Sequence, residues 1–263
     1  MDGIWIFPLL GILTGIMAGL LGIGGGLVLV AALAWLLPLH GVPQDAAMHA
    51  ALASSLASIV LTSLSSTRSH HKRGSVLWLS VAWLVPGMLI GAWLGSRFAI
   101  ALPGNVLKIG VIGYCFLVGG QMLLSRTQAK ADTVLPPRGP GLTLAGGGIG
   151  AVSSLVGIGG GSLTVPLLVW LGARPVRAVG TSAACGVFIG LASAAGYAIQ
   201  APPGALPAHA IGYVYLPAAI GVALTSILAA PLGTRLAHAL SAPALKRVFA
   251  LFMWLVGGTL LWM

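Results

Sequence analysis

Charge is nearly absent from long stretches of this chain, and that absence restricts its fold more than any other feature. No Asp, Glu, Lys or Arg occurs in 3–44, 46–67, 74–96, 139–173 or 178–234. Each window is long enough to cross ~30 Å of hydrocarbon at ~1.5 Å per residue at least once. Of the 263 residues only 6% are charged and 58% are apolar, whereas roughly a quarter of a soluble domain is charged. A water-exposed surface cannot be built from so few charges. The expected fold is an all-α integral membrane protein, multi-pass, with lipid as its main surroundings.

The net charge of +10 would suit a nucleic-acid partner only if basic residues interleaved with aromatics on one surface. Instead the 13 Lys and Arg fall almost wholly in short connections between apolar segments, where the positive-inside bias puts them. Nucleic acid is therefore excluded. Cys115 and Cys185 sit in separate apolar segments without His or a second Cys at ligand spacing. No disulfide, metal or cofactor is expected, and an enzyme using either thiol would lack an activating neighbour. Asp2, Asp45 and Asp132 are the acidic residues, and none lies inside an apolar helix. That argues against a carboxylate proton relay and against a cation path.

The chain repeats itself. Gly15 to Gly26 matches Gly150 to Gly161 at an offset of 135, and 94–124 matches 232–262 at an offset of 138 with 13 identities. A single membrane domain, 1–263, is thus expected to consist of two repeats, 1–125 and 139–263, joined by the polar, Pro-containing linker 125–140. Each repeat reads as an opening segment of more than 30 residues followed by three apolar helices. These helices fall at about 46–65, 75–96 and 106–124, then 177–199, 208–233 and 244–262.

One straight helix of 34 residues would be ~50 Å long, and each Gly in its middle would cost about 1 kcal/mol. A break at the glycines is expected instead. If both broken segments re-enter, one side of the membrane takes Arg68, Lys72, Arg73, Arg126, Lys130, Arg138, Arg174, Arg177, Arg235, Lys246 and Arg247, and the other only Arg97 and Lys108. If all eight segments cross, the two sides carry 7 and 6, which is no bias. Charge decides this for the second half, since loop 38–45 has no Lys or Arg, and repetition extends it to the first. With three crossings each, the halves form an inverted repeat.

Irregular backbone at membrane depth survives only where it is buried in protein or faces a wet cavity. Gly24, Gly25 and Gly26, with Gly159, Gly160 and Gly161, are therefore candidates for a binding site. A half-helix starting after such a break presents unpaired N–H groups and a positive dipole end, which favour a small anionic substrate. Close helix packing is the competing explanation, and it fits Gly11, Gly15 and Gly19 better. Hydroxyls at Ser54, Ser55, Thr181 and Ser182, with Ser58 beside the first pair and Ser162 beside the second glycine run, can coordinate an oxyanion without net charge. Ser and Thr equally often bond the preceding turn of their own helix. Ser153, Ser154 and Thr164 are weaker candidates, and His49 reads as an interfacial anchor or a titrating group. Arg97 and Arg235, at equivalent helix ends, are either snorkelling caps or vestibule charges that gather anions.

The paired Gly-x-Gly-Gly-Gly runs, Gly22 to Gly26 and Gly157 to Gly161, the second followed by Val165-Pro166, together with Val179-Gly180-Thr181-Ser182, resemble the TauE/SafE sulfite-exporter family. The resemblance spans almost the whole chain. It implies a small duplicated carrier of sulfite, sulfoacetate or another organosulfur anion in a bacterial inner membrane. The first half departs from the pattern: Ala31 stands opposite Pro166, and Ala53-Ser54-Ser55 opposite Gly180-Thr181-Ser182. A lesser contribution of that half to any pocket is expected. A channel with a static glycine constriction is the alternative, and the sequence sets no oligomeric state.

Overall fold

The computed structural model describes residues 5–21, 25–124, 136–206 and 209–262. Gly24 and most of the expected linker, 125–135, lie outside the described residues. Both opening segments are broken at their glycines. The first is α1 (Ile6–Leu21) and α2 (Gly26–Leu39); the second is α6 (Pro140–Val156) and α7 (Gly161–Trp170). Gly25 and Gly160, immediately before α2 and α7, have φ of 70° and 76°, a left-handed conformation that disfavours any residue with a Cβ. The remaining helices are α3 (Ala47–His71), α4 (Trp78–Ala101), α5 (Gly104–Leu124), α8 (Pro175–Ile199), α9 (Leu216–Ala239) and α10 (Ala242–Leu261). Among them α3, α4, α8 and α9 are long and apolar enough to cross a membrane by length and composition.

Each broken segment returns to the end from which it started. The ring of Phe7, in the first turn of α1, lies 5.2 Å from that of His40, which follows α2. At the other end, Ser80 donates to the carbonyl of Pro137, just before α6 (2.7 Å), and the Leu77 N–H donates to Thr181 Oγ1, in the second turn of α8 (2.9 Å). Both ends of the second segment therefore lie beside the start of α4.

Helices α3 and α8 run antiparallel through the centre. Cβ atoms built on Gly180, Gly186 and Gly190 would lie 3.1 Å from His70 Cβ, 2.8 Å from Ser63 Oγ and 2.9 Å from the Leu56 carbonyl oxygen. By contrast α1 runs parallel to α9, and α6 parallel to α4, at backbone-to-backbone distance. A Cβ on Gly19 would stand 2.0 Å from the Ala230 oxygen, and one on Gly91 would stand 1.9 Å from the Gly147 oxygen. Small residues give membrane helices this approach, which maximises dispersion contacts where no hydrophobic effect drives association. Gly11, Gly15 and Gly19 thus serve packing. The pairing is unchanged when the helices of 5–124 are exchanged for those of 136–262: α1 on α9 becomes α6 on α4, α2 on α3 becomes α7 on α8, and α3–α8 and α5–α10 pair with themselves.

Two sequence expectations need correction. The segment 208–233 begins its helix only at Leu216, because 209–215 folds as a two-residue antiparallel ribbon pairing Ala210 with Tyr215 and Ile211 with Val214. Gly212 supplies a positive-φ turn, and Pro217 starts α9 where its missing N–H leaves no bond unmade. Among the described residues this ribbon is the only strand pairing beside the ten helices. Also, α3 continues six residues past 65, to His71, since its Ser- and His-rich last turns are buried against α8 and α9 rather than solvated.

The outer surface is apolar. Leu117, Leu144 and Leu228 are 75–82% exposed, a pattern suited to acyl chains. Arg68, Lys72, Arg73, Arg138, Arg174, Arg177, Arg235 and Arg247 sit at the end holding the α3–α4 turn, while Arg97 and Lys108 flank the short α4–α5 turn at the opposite end.

Gly91→Ala should therefore lower the melting temperature of the purified protein by several degrees, since overpacking costs about 1–3 kcal/mol. Gly110→Ala, whose Cβ would meet nothing within 4 Å, should leave the melt unchanged or raise it slightly; equal effects would refute the packing role.

Candidate functional site

The two glycine turns meet midway along α3 and α8. A Cβ on Gly26 would lie 2.4 Å from the Gly157 carbonyl oxygen and 2.7 Å from Ile59 Cδ1, close to the centre of α3. Ser55 joins the turns, because its Oγ lies 3.1 Å from the Gly26 carbonyl and 2.9 Å from that of Gly157. Gly157 ends α6 in a left-handed conformation and Gly26 opens α2, so a hydroxyl shared between their carbonyls serves backbone at the breaks that lipid cannot. Neither α2 nor α7 has a side-chain cap at its start. The first N–H groups of a helix have no partner within it, so both starts direct bare amides and a positive dipole end into the interior.

Around the second turn the hydroxyls are unusual. Ser63, Ser153 and Thr164 are at most 1% exposed, and their oxygens have no hydrogen-bond partner. Leaving such a group unsatisfied costs about 1–3 kcal/mol, so packing alone would not retain three together. Ser153 Oγ lies 3.2 Å from the Cβ position of Gly160, and Ser63 Oγ and the Gly159 oxygen flank that of Gly186 at 2.8 and 3.3 Å. Ser162 Oγ pairs with Tyr114 Oη. At the equivalent places around the first turn stand Ala18, Leu27, Leu29 and Phe252. The polar surface is therefore concentrated on the second turn.

The residues singled out in the sequence divide accordingly. Gly25, Gly26, Ser55, Gly159, Gly160, Gly161 and Ser162 come together at mid-depth. Ser54 and Thr181 do not join them. Ser54 Oγ accepts the N–H of Tyr215, and Thr181 Oγ1 accepts that of Leu77 (both 2.9 Å), so each ties the first turn of the helix that follows, α9 or α4. Ser182 is buried one residue further along α8. Ser58 donates toward the Ser54 and Ala219 carbonyls. Arg97 and Arg235 are exposed about one turn before the ends of α4 and α9, at opposite ends of the molecule. His49 anchors an end: its Nε2 bonds the Leu102 carbonyl (3.0 Å) and its ring stacks on Tyr213 at 4.9 Å. Burial, followed by the nearby Asp45 carboxylate, holds the Tyr213 phenol above its ordinary pKa.

Sequence reading missed Ser63, Ser66, His70 and Tyr114. A signal existed, since 63, 66 and 70 follow the three- and four-residue steps of one helix face.

The profile of the sulfite exporter TauE/SafE family matches residues 7–260. The chain belongs to that family. A "Probable membrane transporter protein" of Haemophilus influenzae is 37% identical over 250 residues, covering 93% of each chain. Another from Methanocaldococcus jannaschii is 24% identical over 260 residues, covering 96% of this chain and 94% of the relative. One from Xylella fastidiosa is 30% identical over 261 residues, covering 95% and 92%. No solved structure matches. Membership of TauE/SafE makes the chain a multi-pass membrane transporter rather than an enzyme, and Cys115 and Cys185 are accordingly free, buried packing residues.

Ser55→Ala should destabilise the fold by about 1–3 kcal/mol, because it leaves two turn carbonyls without their shared donor. The check is the thermal melt of the purified variant; an unaltered melt would mean the bridge is dispensable.

Proposed function

We propose that this TauE/SafE protein is a secondary carrier of a small anion, sulfite or an organosulfonate such as sulfoacetate, in a bacterial inner membrane. The carrying observation is the meeting of two uncapped helix starts at mid-depth beside three buried hydroxyls that have no partner. Amides and hydroxyls are what an oxyanion needs, and they supply it without the desolvation penalty of a buried cation. Asp45, the acidic residue among those described, lies at one end of the molecule, so no described carboxylate opposes an anion at the centre.

In this reading the halves 1–125 and 139–263 are an inverted repeat. Support comes from the antiparallel course of α3 and α8 and from a packing pattern that survives exchange of the halves. Each half then crosses three times, by α3, α4 and α5 or by α8, α9 and α10, with its broken hairpin re-entering from one face. The end rich in Lys and Arg faces the cytoplasm. Substrate sits against the second turn, with Gly159, Gly160, Gly161, Ser162, Ser153, Thr164 and Ser63 around it, and Gly25, Gly26 and Ser55 closing the other side. Rocking one half against the other exposes the site alternately. Arg97 and Arg235 stand at opposite mouths, where each raises the local concentration of anions.

A thermal-shift panel of sulfite, sulfate, thiosulfate, taurine, sulfoacetate and chloride identifies the anion, since a ligand of the folded state raises its melting temperature. Labelled anion should then show counterflow in proteoliposomes, whereas a channel would give linear current and no trans-stimulation. Ser63→Ala and Thr164→Val should leave the unliganded melt unchanged or raise it, because those hydroxyls are buried without a bond in the free protein, yet weaken the winning anion about tenfold, roughly one lost hydrogen bond. Undiminished affinity in both variants would remove the second turn as the site.

A further inference from the structure

His70 and Tyr197 occupy equivalent places at opposite ends of the molecule. Their numbers differ by 127, as do those of Ser54 and Thr181, and each reaches across to a broken hairpin. His70 Nε2 lies 3.2 Å from the carbonyl oxygen of Gly19, and Tyr197 Oη lies 3.0 Å from that of Ser154. Gly19 and Ser154 are themselves equivalent, each two residues before its helix ends at Leu21 or Val156. Both side chains are fully buried. Between each of them and the glycine turns lies a buried hydroxyl without a partner: Ser66 on the His70 side and Ser193 on the Tyr197 side, again 127 apart. Each end of the α3–α8 pair thus presents, in order from the centre, an unpaired hydroxyl and then a hydrogen bond that fixes the end of a re-entering helix.

The two bonds differ chemically. A carbonyl can only accept, so His70 carries its proton on Nε2, and Nδ1 faces Ser75 Oγ at 3.1 Å. Ser75 donates its own proton to the His70 carbonyl (2.9 Å), leaving lone pairs toward Nδ1. A second proton on Nδ1 therefore has an acceptor. What it lacks, among the described residues, is a counter-charge. The groups facing the ring are the Gly19 carbonyl from α1, the His238 ring from α9 at 5.5 Å, Arg73 and Ser75 from the α3–α4 turn, and Gly180 from α8. None is acidic, and Asp45 lies 25 residues away along the chain, beyond the other end of α3. An imidazolium here is relieved by water or by an entering anion, and either requires the end of α1 to move away. Histidine changes charge near neutral pH; a tyrosine hydroxyl does not.

We propose that His70 is a proton-binding site that latches the mouth at the Lys- and Arg-rich end, and that Tyr197 is its non-titrating counterpart at the opposite mouth. Protonation of His70 releases α1, so anion entry or exit at that mouth is linked to proton binding, while the other mouth is indifferent to pH. What the latches gate rests on the carrier reading given above; the pH response of the latches does not.

The test is hydrogen–deuterium exchange of the full chain in nanodiscs at pH 6 and pH 8, corrected for intrinsic exchange rates. Residues 14–21 should lose protection about fourfold at pH 6, the limit set by a released histidine of pKa ~6.5, while the equivalent 149–156 does not change. In His70→Gln, whose amide can still donate to Gly19 but does not titrate in this range, 14–21 should exchange alike at both pH values. Tyr197→Phe should raise exchange at 149–156 equally at both. Equal pH responses of the two segments in the wild-type chain, or none at 14–21, overturn the proposal without recourse to a variant. Counterflow of labelled sulfite in proteoliposomes is read separately: its absence alongside a pH response confined to 14–21 would sink the carrier reading and leave the proton-operated latch standing.

Discussion

A polypeptide that leaves its helix halfway through a bilayer must find partners for carbonyl and amide groups that hydrocarbon cannot serve. Here that requirement is met twice at one place. The two broken segments bring their turns into contact, and the Ser55 hydroxyl lies within bonding distance of a carbonyl from each. The left-handed glycines at 25 and 160 let helices resume without a Cβ clash, and the resumed helices start uncapped, with amide donors facing inward. In the proposed reading, structural necessity and anion affinity arise from the same atoms, since the backbone that must be hidden from lipid is the backbone that would attract negative charge.

Hydroxyls elsewhere in the core follow two patterns. Those with partners hold helices in place: Ser54 and Thr181 secure the starts of α9 and α4, and Ser58 reaches from α3 to α9. Those without partners line α3, α6, α7 and α8 around and between the turns. In a protein of this composition the second group is the more informative, because an apolar replacement was available at every such position. The first turn shows that replacement realised, with Ala18, Leu27 and Leu29 where the second has Ser153, Ser162 and Thr164. A near-symmetric scaffold therefore carries its unpaired hydroxyls asymmetrically, and for that reason the proposed anion site lies on the side of the second turn.

Close backbone packing explains how such a scaffold could move. Helices α1 and α9 approach so closely that a methyl group on Gly19 would overlap a carbonyl of the partner, and α6 and α4 do the same through Gly91 and Gly147. Each such pair behaves as one stiff body. Both bodies contact the central α3–α8 pair through side chains and a few hydrogen bonds, including those of His70 and Tyr197. Relative motion of stiff bodies across polar, breakable contacts is what the proposed alternating access demands.

Much of this was legible before any coordinates. Absence of charge dictated membrane residence, glycine clusters dictated where each opening segment breaks, and the distribution of Lys and Arg required the second segment to return to its own side. These are local or compositional constraints, set by the solvent and by backbone sterics, and they act on a residue wherever it finally packs. The roles of individual hydroxyls were not legible. Ser54 and Ser55 are adjacent and chemically identical, yet one caps a helix of the other half while the other bridges two turns. That division depends on which face of α3 meets α9 and which meets the glycines, and only tertiary packing fixes it. The same holds for Tyr114, which is drawn to Ser162 across 48 positions of sequence, and for His70, whose partner Gly19 lies 51 positions away. Sequence by itself determined that backbone would break inside the membrane and where; the fold decided which side chains would stand beside the break, because contacts between distant segments depend on helix rotation and crossing, which no local pattern encodes.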